Sequence, residues 1–174
     1  MTNAEYPLFL GLYLVCLTIR TTYELFKKAG RVNLKSKILF SAIFAAMCLL
    51  WVSWFMMCPI DPWPVRLPLA ARWIGLVVFL AGWSLALGAL IQLKGLEDID
   101  HLVTTGLFSK LRHPMYTGFI LWILGWGVYH GAGVSLTVGL LGIANILYWR
   151  RLEEAALESR YGDLYREYRK GTWL

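Results

Sequence analysis

The sequence predicts an all-α, polytopic integral membrane protein with about five transmembrane helices and a C-terminal amphipathic helix at the cytoplasmic face. Three observations carry this reading. Hydrophobic residues make up 58% of the 174 residues and charged residues 16%, where soluble domains hold roughly 45–50% and about 25%. Several uncharged runs are long enough to cross a hydrocarbon core of about 30 Å. The basic residues gather in alternate connections, as the positive-inside rule requires. Uncharged runs of this length exclude a soluble helical core, and the chain has the size of one domain spanning 1–174.

The first apolar segment, 6–26, contains Arg20 near its end and is the least clean span. Glu5 precedes it without a basic cluster, so a retained helix is expected rather than a cleaved signal peptide. Segments 38–58 and 73–93 carry no charge, and each is long enough to span. Between them, Pro59, Pro62, Pro64 and Pro68 make a stiff external linker, because proline fixes φ and removes a donor. Trp51, Trp54, Trp63 and Trp73 fall near span ends, the place of interface anchors. Cys16, Cys48 and Cys58 lack metal-ligand spacing and read as small packing residues.

The third segment holds Gly75, Gly82, Ser84 and Gly88, and the run after it holds Gly118, Gly125, Gly139 and Gly142. In lipid, helices associate where small residues permit close approach. The third span is therefore expected to pack on the following run, with Ser84 and Gly88 as its small-xxx-small pair. That run, 115–149, is uncharged and too long for one span. Gly131-Ala132-Gly133 divides it into a helical hairpin. Each arm has about 16 residues, or roughly 24 Å of helix. With the turn at the far surface, the near ends of both arms lie recessed. Those ends carry Arg112-His113-Pro114 and Trp149-Arg150-Arg151, so a polar pocket is expected there.

Charge sets the orientation. Lys27, Lys28, Arg31, Lys35 and Lys37 fill the first connection; Lys94, Lys110 and Arg112 lie in the third; six Arg and Lys residues from Arg150 to Lys170 mark the tail. The second connection offers Arg66 and Arg72 alone. Five spans with the N-terminus outside and the tail cytoplasmic satisfy this pattern. The net charge of +6 then reflects topology and contact with anionic headgroups, not nucleic acid. In the tail, Leu157, Tyr161, Leu164 and Tyr168 are spaced four, three and four apart, one face of an amphipathic helix. Gly162 weakens its middle by about 1 kcal/mol.

The chemistry-bearing residues lie at the recessed ends. Pro114 suits the first position of a helix. The free N–H groups and partial positive charge of that helix start, with Arg112 and His113, suit an anionic group. Glu153 and Glu154 open the tail after Arg150 and Arg151. Arg150 and Glu154 stand four apart, so an intrahelical ion pair worth a few tenths of a kcal/mol is the plainer alternative. Juxtamembrane arginines also serve simply as topology signals.

The stretch Leu102-Val103-Thr104-Thr105-Gly106, a short spacer, then Arg112-His113-Pro114-x-Tyr116-x-Gly118 resembles the signature of the isoprenylcysteine carboxyl methyltransferase family. Glu153-Glu154 with Leu157, Gly162, Tyr165 and Tyr168 is similar to its C-terminal block. The resemblance covers roughly 102–170, within a cofactor region of 98–170 after N-terminal spans at 6–93. It implies an integral membrane methyltransferase that uses S-adenosyl-L-methionine and releases S-adenosyl-L-homocysteine. It implies cofactor contacts from Leu102, Val103, Gly106, Arg112, His113, Pro114, Tyr116, Glu153 and Glu154. It assigns Arg151, or less directly Arg150, to an anionic acceptor, with Glu153 and Glu154 orienting the acceptor or accepting a proton. The acceptor implied is lipophilic, the carboxylate of a prenylcysteine-like compound first, with a phospholipid amine or small thiol as alternatives. Two departures bear on the acceptor. Leu107-Phe108 stand where the family often has Pro-Tyr, which makes Phe108 a packing residue, and few residues follow Tyr168, so a longer substrate-capping tail is not expected. A nicotinamide-dependent sterol-type reductase and a non-catalytic membrane subunit are the rival readings. The first needs a larger basic pocket, and the second leaves the concentration of polar residues at one face without a purpose.

Overall fold

Lipid offers a backbone no hydrogen bonds, so an apolar chain must close its own within helices. The computed structural model describes residues 3–33, 36–93 and 102–173, and every regular element in them is helical. In order these are α1 (Tyr6–Lys28), α2 (Lys37–Met57), α3 (Leu69–Gln92), α4 (Pro114–His130), α5 (Gly133–Tyr161) and α6 (Asp163–Lys170). Short 3-10 turns lie at Asn3–Glu5, Cys58–Ile60 and Gly106–Ser109. Three helical segments, Tyr6–Lys28, Lys37–Ile60 and Leu69–Gln92, are long and apolar enough to cross a membrane. They leave large apolar residues such as Leu8, Ile38, Val77 and Ile91 on the outer surface, where lipid rather than water accommodates them. The protein is an integral membrane protein.

The tightest contact joins α3 and α4. A Cβ built on Gly82 would stand 2.7 Å from the carbonyl oxygen of Gly118, and one on Gly75 would stand 2.9 Å from that of Gly125. The reverse holds for Gly118 against Gly82 and Gly125 against Gly75. Two pairs of glycines seven residues apart thus let antiparallel backbones touch. The expected packing of the third span on the hairpin is present, but through a different pair than expected. Ser84 donates to the Leu80 carbonyl of its own helix, and Gly88 meets the side chain of Leu107. Rotation of the helix decides this: positions 75 and 82 share a face that Ser84 does not. Gly139 and Gly142 serve other neighbours, Ile123 with Trp54 and the hydroxyl of Tyr13.

The tryptophans divide. Trp63 and Trp73 are exposed, as anchors would be. Trp54 is 0% exposed and packs at a 5.6 Å centroid distance from Tyr13. Trp51 lies against Phe119 and Trp122. Both belong to the core with Leu50, Met57, Ile123 and Ile146, because α2 turns that face toward α4 and α5 instead of toward the headgroups.

The proline-rich linker closes over the hairpin turn. Gly131 takes φ +65°. Its N–H donates to Val128 and the Ala132 N–H to Gly127, a Schellman ending that only glycine adopts without strain. Val65 donates to the Gly131 carbonyl at 2.7 Å. Asp61 then caps α5 from the linker: its carboxylate accepts from the N–H groups of Val134 and Ser135 at 3.3 and 2.6 Å, and from the Ser135 hydroxyl at 2.6 Å. Contacts of Tyr6 with Ser135, Tyr13 with Gly142, and Trp149 with Thr21 show that α1 and α5 run parallel.

The expected continuous amphipathic helix across Gly162 is two helices. Helix α5 continues without interruption past Trp149 to Tyr161. Gly162 takes φ +54°, and α6 departs in a new direction. A residue expected to weaken a helix ends it.

Replacement of Gly125 by valine places atoms against the Phe79 backbone, and overpacking of this kind costs about 1–3 kcal/mol. The melting temperature in detergent is expected to fall by several degrees. Gly11→Ala, with nothing within 4 Å of the added carbon, is expected to leave it unchanged or slightly raised. Equal melting temperatures for the two variants would remove the α3–α4 contact from its structural role.

Candidate active site

Proline at the first position of α4 leaves His113 as the residue before the helix, and this places it under α5. His113 is 5% exposed. Its Nε2 lies 3.2 Å from Oε1 of Glu154, and Nδ1 lies 3.9 Å from Oε2 of Glu153. Its ring stacks on that of Tyr116 with centroids 5.6 Å apart, and Tyr116 lies within electrostatic reach of Glu153. With its proton on Nε2, neutral His113 donates to Glu154 and keeps Nδ1 as an acceptor. Burial lowers the pKa of His113 below its ordinary value. The two carboxylates pull the other way and Arg150 adds to the lowering.

Arg112 is a clasp. Its Nε donates to the same Glu154 oxygen at 3.3 Å, and Nη1 donates to the carbonyls of Arg169 and Thr172 at 3.1 and 2.9 Å. Backbone bonds from Arg112 to Trp173 and from Trp173 to Lys110 fasten the tail beside it. The Tyr168 hydroxyl donates to the Phe108 carbonyl at 2.6 Å, and Phe108 is buried as a packing residue. The guanidinium of Arg112 is thus engaged within the chain.

The break at Gly162 turns α6 back beneath the cluster and brings in Tyr165, which is 0% exposed. Its hydroxyl is buried without a hydrogen-bond partner, and so is Nε of Arg150. Burial pushes the Tyr165 pKa up to about 12, followed by the charge of Glu154. Arg150 lies within electrostatic reach of His113, while Arg151, one residue and about 100° further round the helix, is exposed. Glu154 takes Arg112 and His113 as partners, so the intrahelical pair with Arg150 is not what holds it. Of the expected site residues, His113, Tyr116, Glu153, Glu154 and Arg112 come together, with Pro114 setting the helix start. Leu102, Val103 and Gly106 line the segment leading in, and 98–101 lie outside the described residues. Sequence reasoning missed Gln92. Its amide donates to the Thr105 carbonyl at 2.5 Å and accepts from the Leu107 N–H at 3.1 Å, so α3 holds that segment. An uncharged residue at the end of an apolar helix gave little signal.

The lowered His113 pKa has a stability consequence. Above about pH 6.5 His113 is neutral in the folded and unfolded chains alike. Below it the unfolded chain takes up the proton first, so this stability is lost as pH falls through the folded pKa. The melting temperature of the wild type is expected to drop more steeply between about pH 7 and 5 than that of His113→Gln. Parallel curves would show that His113 does not contribute.

Comparison with known proteins bears on this geometry. The model of the phospholipid methyltransferase family matches residues 70–164, the stretch from α3 into α6. A protein-S-isoprenylcysteine O-methyltransferase of Schizosaccharomyces pombe is 42% identical over 73 residues, 41% of this chain and 31% of that protein. A methanethiol S-methyltransferase of Pseudomonas deceptionensis is 29% identical over 150 residues, 76% of this chain and 56% of that protein. The chain thus spans about a third and just over half of the lengths of these curated relatives. No solved structure matches significantly. The resemblance read from 102–118 and from the paired glutamates is borne out: the chain belongs to the phospholipid methyltransferase family of membrane methyltransferases.

Proposed function

We propose that this protein transfers a methyl group from S-adenosyl-L-methionine to a lipophilic acceptor in the membrane, the carboxylate of a prenylcysteine-like compound. One observation carries the proposal. Two polar atoms, the Tyr165 hydroxyl and Nε of Arg150, are buried without partners beside His113, Glu153 and Glu154. Buried polar groups that are not satisfied within the chain call for a polar ligand.

The residues fit the cofactor chemically. Its carboxylate needs donors, which Tyr165 and Nε of Arg150 supply together with the N–H groups opening α4. Its ribose hydroxyls need acceptors, which Glu153 and Nδ1 of His113 supply. When bound, the cofactor provides an activated methyl on a sulfonium. The stacked rings of His113 and Tyr116 offer electron-rich faces to a cation. The remaining work is positioning and exclusion of water. Arg112 does this by drawing the tail over the cluster. A carboxylate acceptor needs no general base. Arg150, turned toward the cluster, takes the place that the resemblance gave first to Arg151.

A second acceptor class, a small thiol, is favoured by the longer of the two matches, which extends across most of this chain. The same residues serve it, because a thiolate is also anionic. The five-span topology, with the N-terminus outside and the site cytoplasmic, is part of the proposal. It is supported by the parallel course of α1 and α5 and the antiparallel course of α3 and α4. The 17 residues of α4 give about 26 Å of helix, slightly less than the hydrocarbon core.

Calorimetry of the protein in detergent tests the cofactor. S-adenosyl-L-homocysteine is expected to bind and to raise the melting temperature by mass action; stabilisation by NADPH instead would overturn the reading. Arg150→Ala is expected to lower turnover by about 10- to 150-fold, the loss of one charge-assisted contact worth about 1.5–3 kcal/mol. Arg151→Ala is expected to change it little, and the reverse ranking would return the role to Arg151. Topology is tested with single cysteines in a background lacking Cys16, Cys48 and Cys58. A cysteine at Arg66 is expected to react with an impermeant thiol reagent from outside intact cells, and one at Lys170 is not.

A further inference from the structure

The turn that delivers Arg112 and His113 to the site is held from α3. Residues 102–105 have no helix of their own, and the 3-10 turn Gly106–Ser109 follows them. Gln92, the last residue of α3, grips both sides of the start of that turn. Its Nε2 donates to the Thr105 carbonyl at 2.5 Å, and its Oε1 accepts from the Leu107 N–H at 3.1 Å. An amide is both donor and acceptor, so one side chain makes the pair of bonds that a neighbouring strand would make. The fit is close. Gly106, between the two bonded residues, takes φ +59°, and a Cβ there would stand 2.6 Å from Gln92 Nε2. One turn earlier on α3, a Cβ on Gly88 would stand 2.9 Å from Leu107.

From this grip the hold passes along the chain to the cluster. The Thr105 carbonyl also accepts from the Phe108 N–H at 3.1 Å, and the Leu107 carbonyl accepts from the N–H groups of Leu111 and Lys110 at 3.1 and 3.4 Å. On the other side the Phe108 carbonyl accepts from the Tyr168 hydroxyl of α6. Arg112 and His113 follow Leu111 directly. His113 precedes α4, and α4 is fixed against α3 through Gly75, Gly82, Gly118 and Gly125. Both ends of the stretch from Thr105 to His113 therefore rest on one packed pair of helices. Groups held beforehand in the geometry a ligand requires bind it with less loss of freedom.

We propose that Gln92 is a positioning residue for the cofactor: by gripping Thr105 and Leu107 it sets the turn that aims Arg112 and His113, and it acts through them. This rests on the methyltransferase reading of the cluster and adds the end of α3 to the elements that determine cofactor affinity.

The test uses Gln92→Met, which removes both bonds at similar length, and Gln92→Glu, which keeps the acceptor for Leu107 and sets a carboxylate oxygen against the Thr105 carbonyl. Ile91→Ala, at an exposed neighbouring position, is the control. Calorimetry on the folded protein in detergent gives the affinity for S-adenosyl-L-homocysteine. Turnover is followed with an N-acetyl-S-alkylcysteine and with an alkanethiol at varied S-adenosyl-L-methionine. Both Gln92 variants are expected to weaken S-adenosyl-L-homocysteine binding and to raise KM for S-adenosyl-L-methionine at least about fivefold, the effect of losing one or two hydrogen bonds. The acceptor KM and kcat at saturating cofactor are expected to stay within about twofold. Ile91→Ala is expected to change none of these. Unchanged cofactor affinity in the Gln92 variants overturns the proposal and leaves the methyltransferase reading standing, whatever the melting temperature does. So does an equal loss of affinity in Ile91→Ala, or a fall in kcat with the cofactor KM unchanged. Should Gln92→Met fail to fold, Gln92→Glu decides; should neither acceptor be methylated, the affinities decide. A wild type that binds no S-adenosyl-L-homocysteine overturns both readings.

Discussion

One carboxylate organises this end of the molecule. Glu154, on the extension of α5, offers a single oxygen to Arg112 and to His113. A charge that is only 17% exposed needs such partners, because burying an unpaired charge is costly. Satisfying it fixes three things together. The start of α4 is drawn under α5. Arg112 is oriented so that its remaining donors collect the carbonyls of Arg169 and Thr172. The tail folds back in consequence, and Tyr165 enters the cluster.

The rest of the bundle keeps α4 and α5 where Glu154 can act. At the opposite end, the Asp61 carboxylate caps α5 and the linker closes on the Gly131 turn. Along the length, glycine contacts hold α4 against α3, and Gln92 at the end of α3 holds the approach to Arg112. Polar contacts therefore concentrate at the two ends, while the middle is aromatic and aliphatic packing around Trp54, Tyr13 and Ile123. This division suits a membrane, where buried polar groups must find partners and apolar surface needs none.

The cluster around His113 comes from α4, α5 and α6; the family match covers α4 and α5 and ends at residue 164, early in α6. The buried Arg20–Glu24 pair of α1 stands against Trp149 of α5.

Much of the fold was legible in the residues because its causes are local. Uncharged runs of spanning length mark helices wherever they stand, Gly131-Ala132-Gly133 marks a turn, and proline before Met115 marks a helix start. The grouping of His113 with Glu153 and Glu154 was legible through resemblance. What remained hidden depends on how helices rotate and fold against one another. Sequence spacing could not tell that Gly82 rather than Ser84 meets α4, because both are small and the choice is one of angular position. It could not tell that Arg150 rather than Arg151 turns inward, since adjacent arginines differ only by about 100° around the axis. Gly162 read as a weak point because its cost inside a helix is small, whereas the clasp between Arg112 and the tail makes a left-handed break the favoured outcome. Arg20 read as an irregularity in a span; the packing of α1 on α5 set the Trp149 ring beside it. Local chemistry determined the elements and their ends, and tertiary packing decided which side chains share a face, because that depends on contacts between residues far apart in the chain.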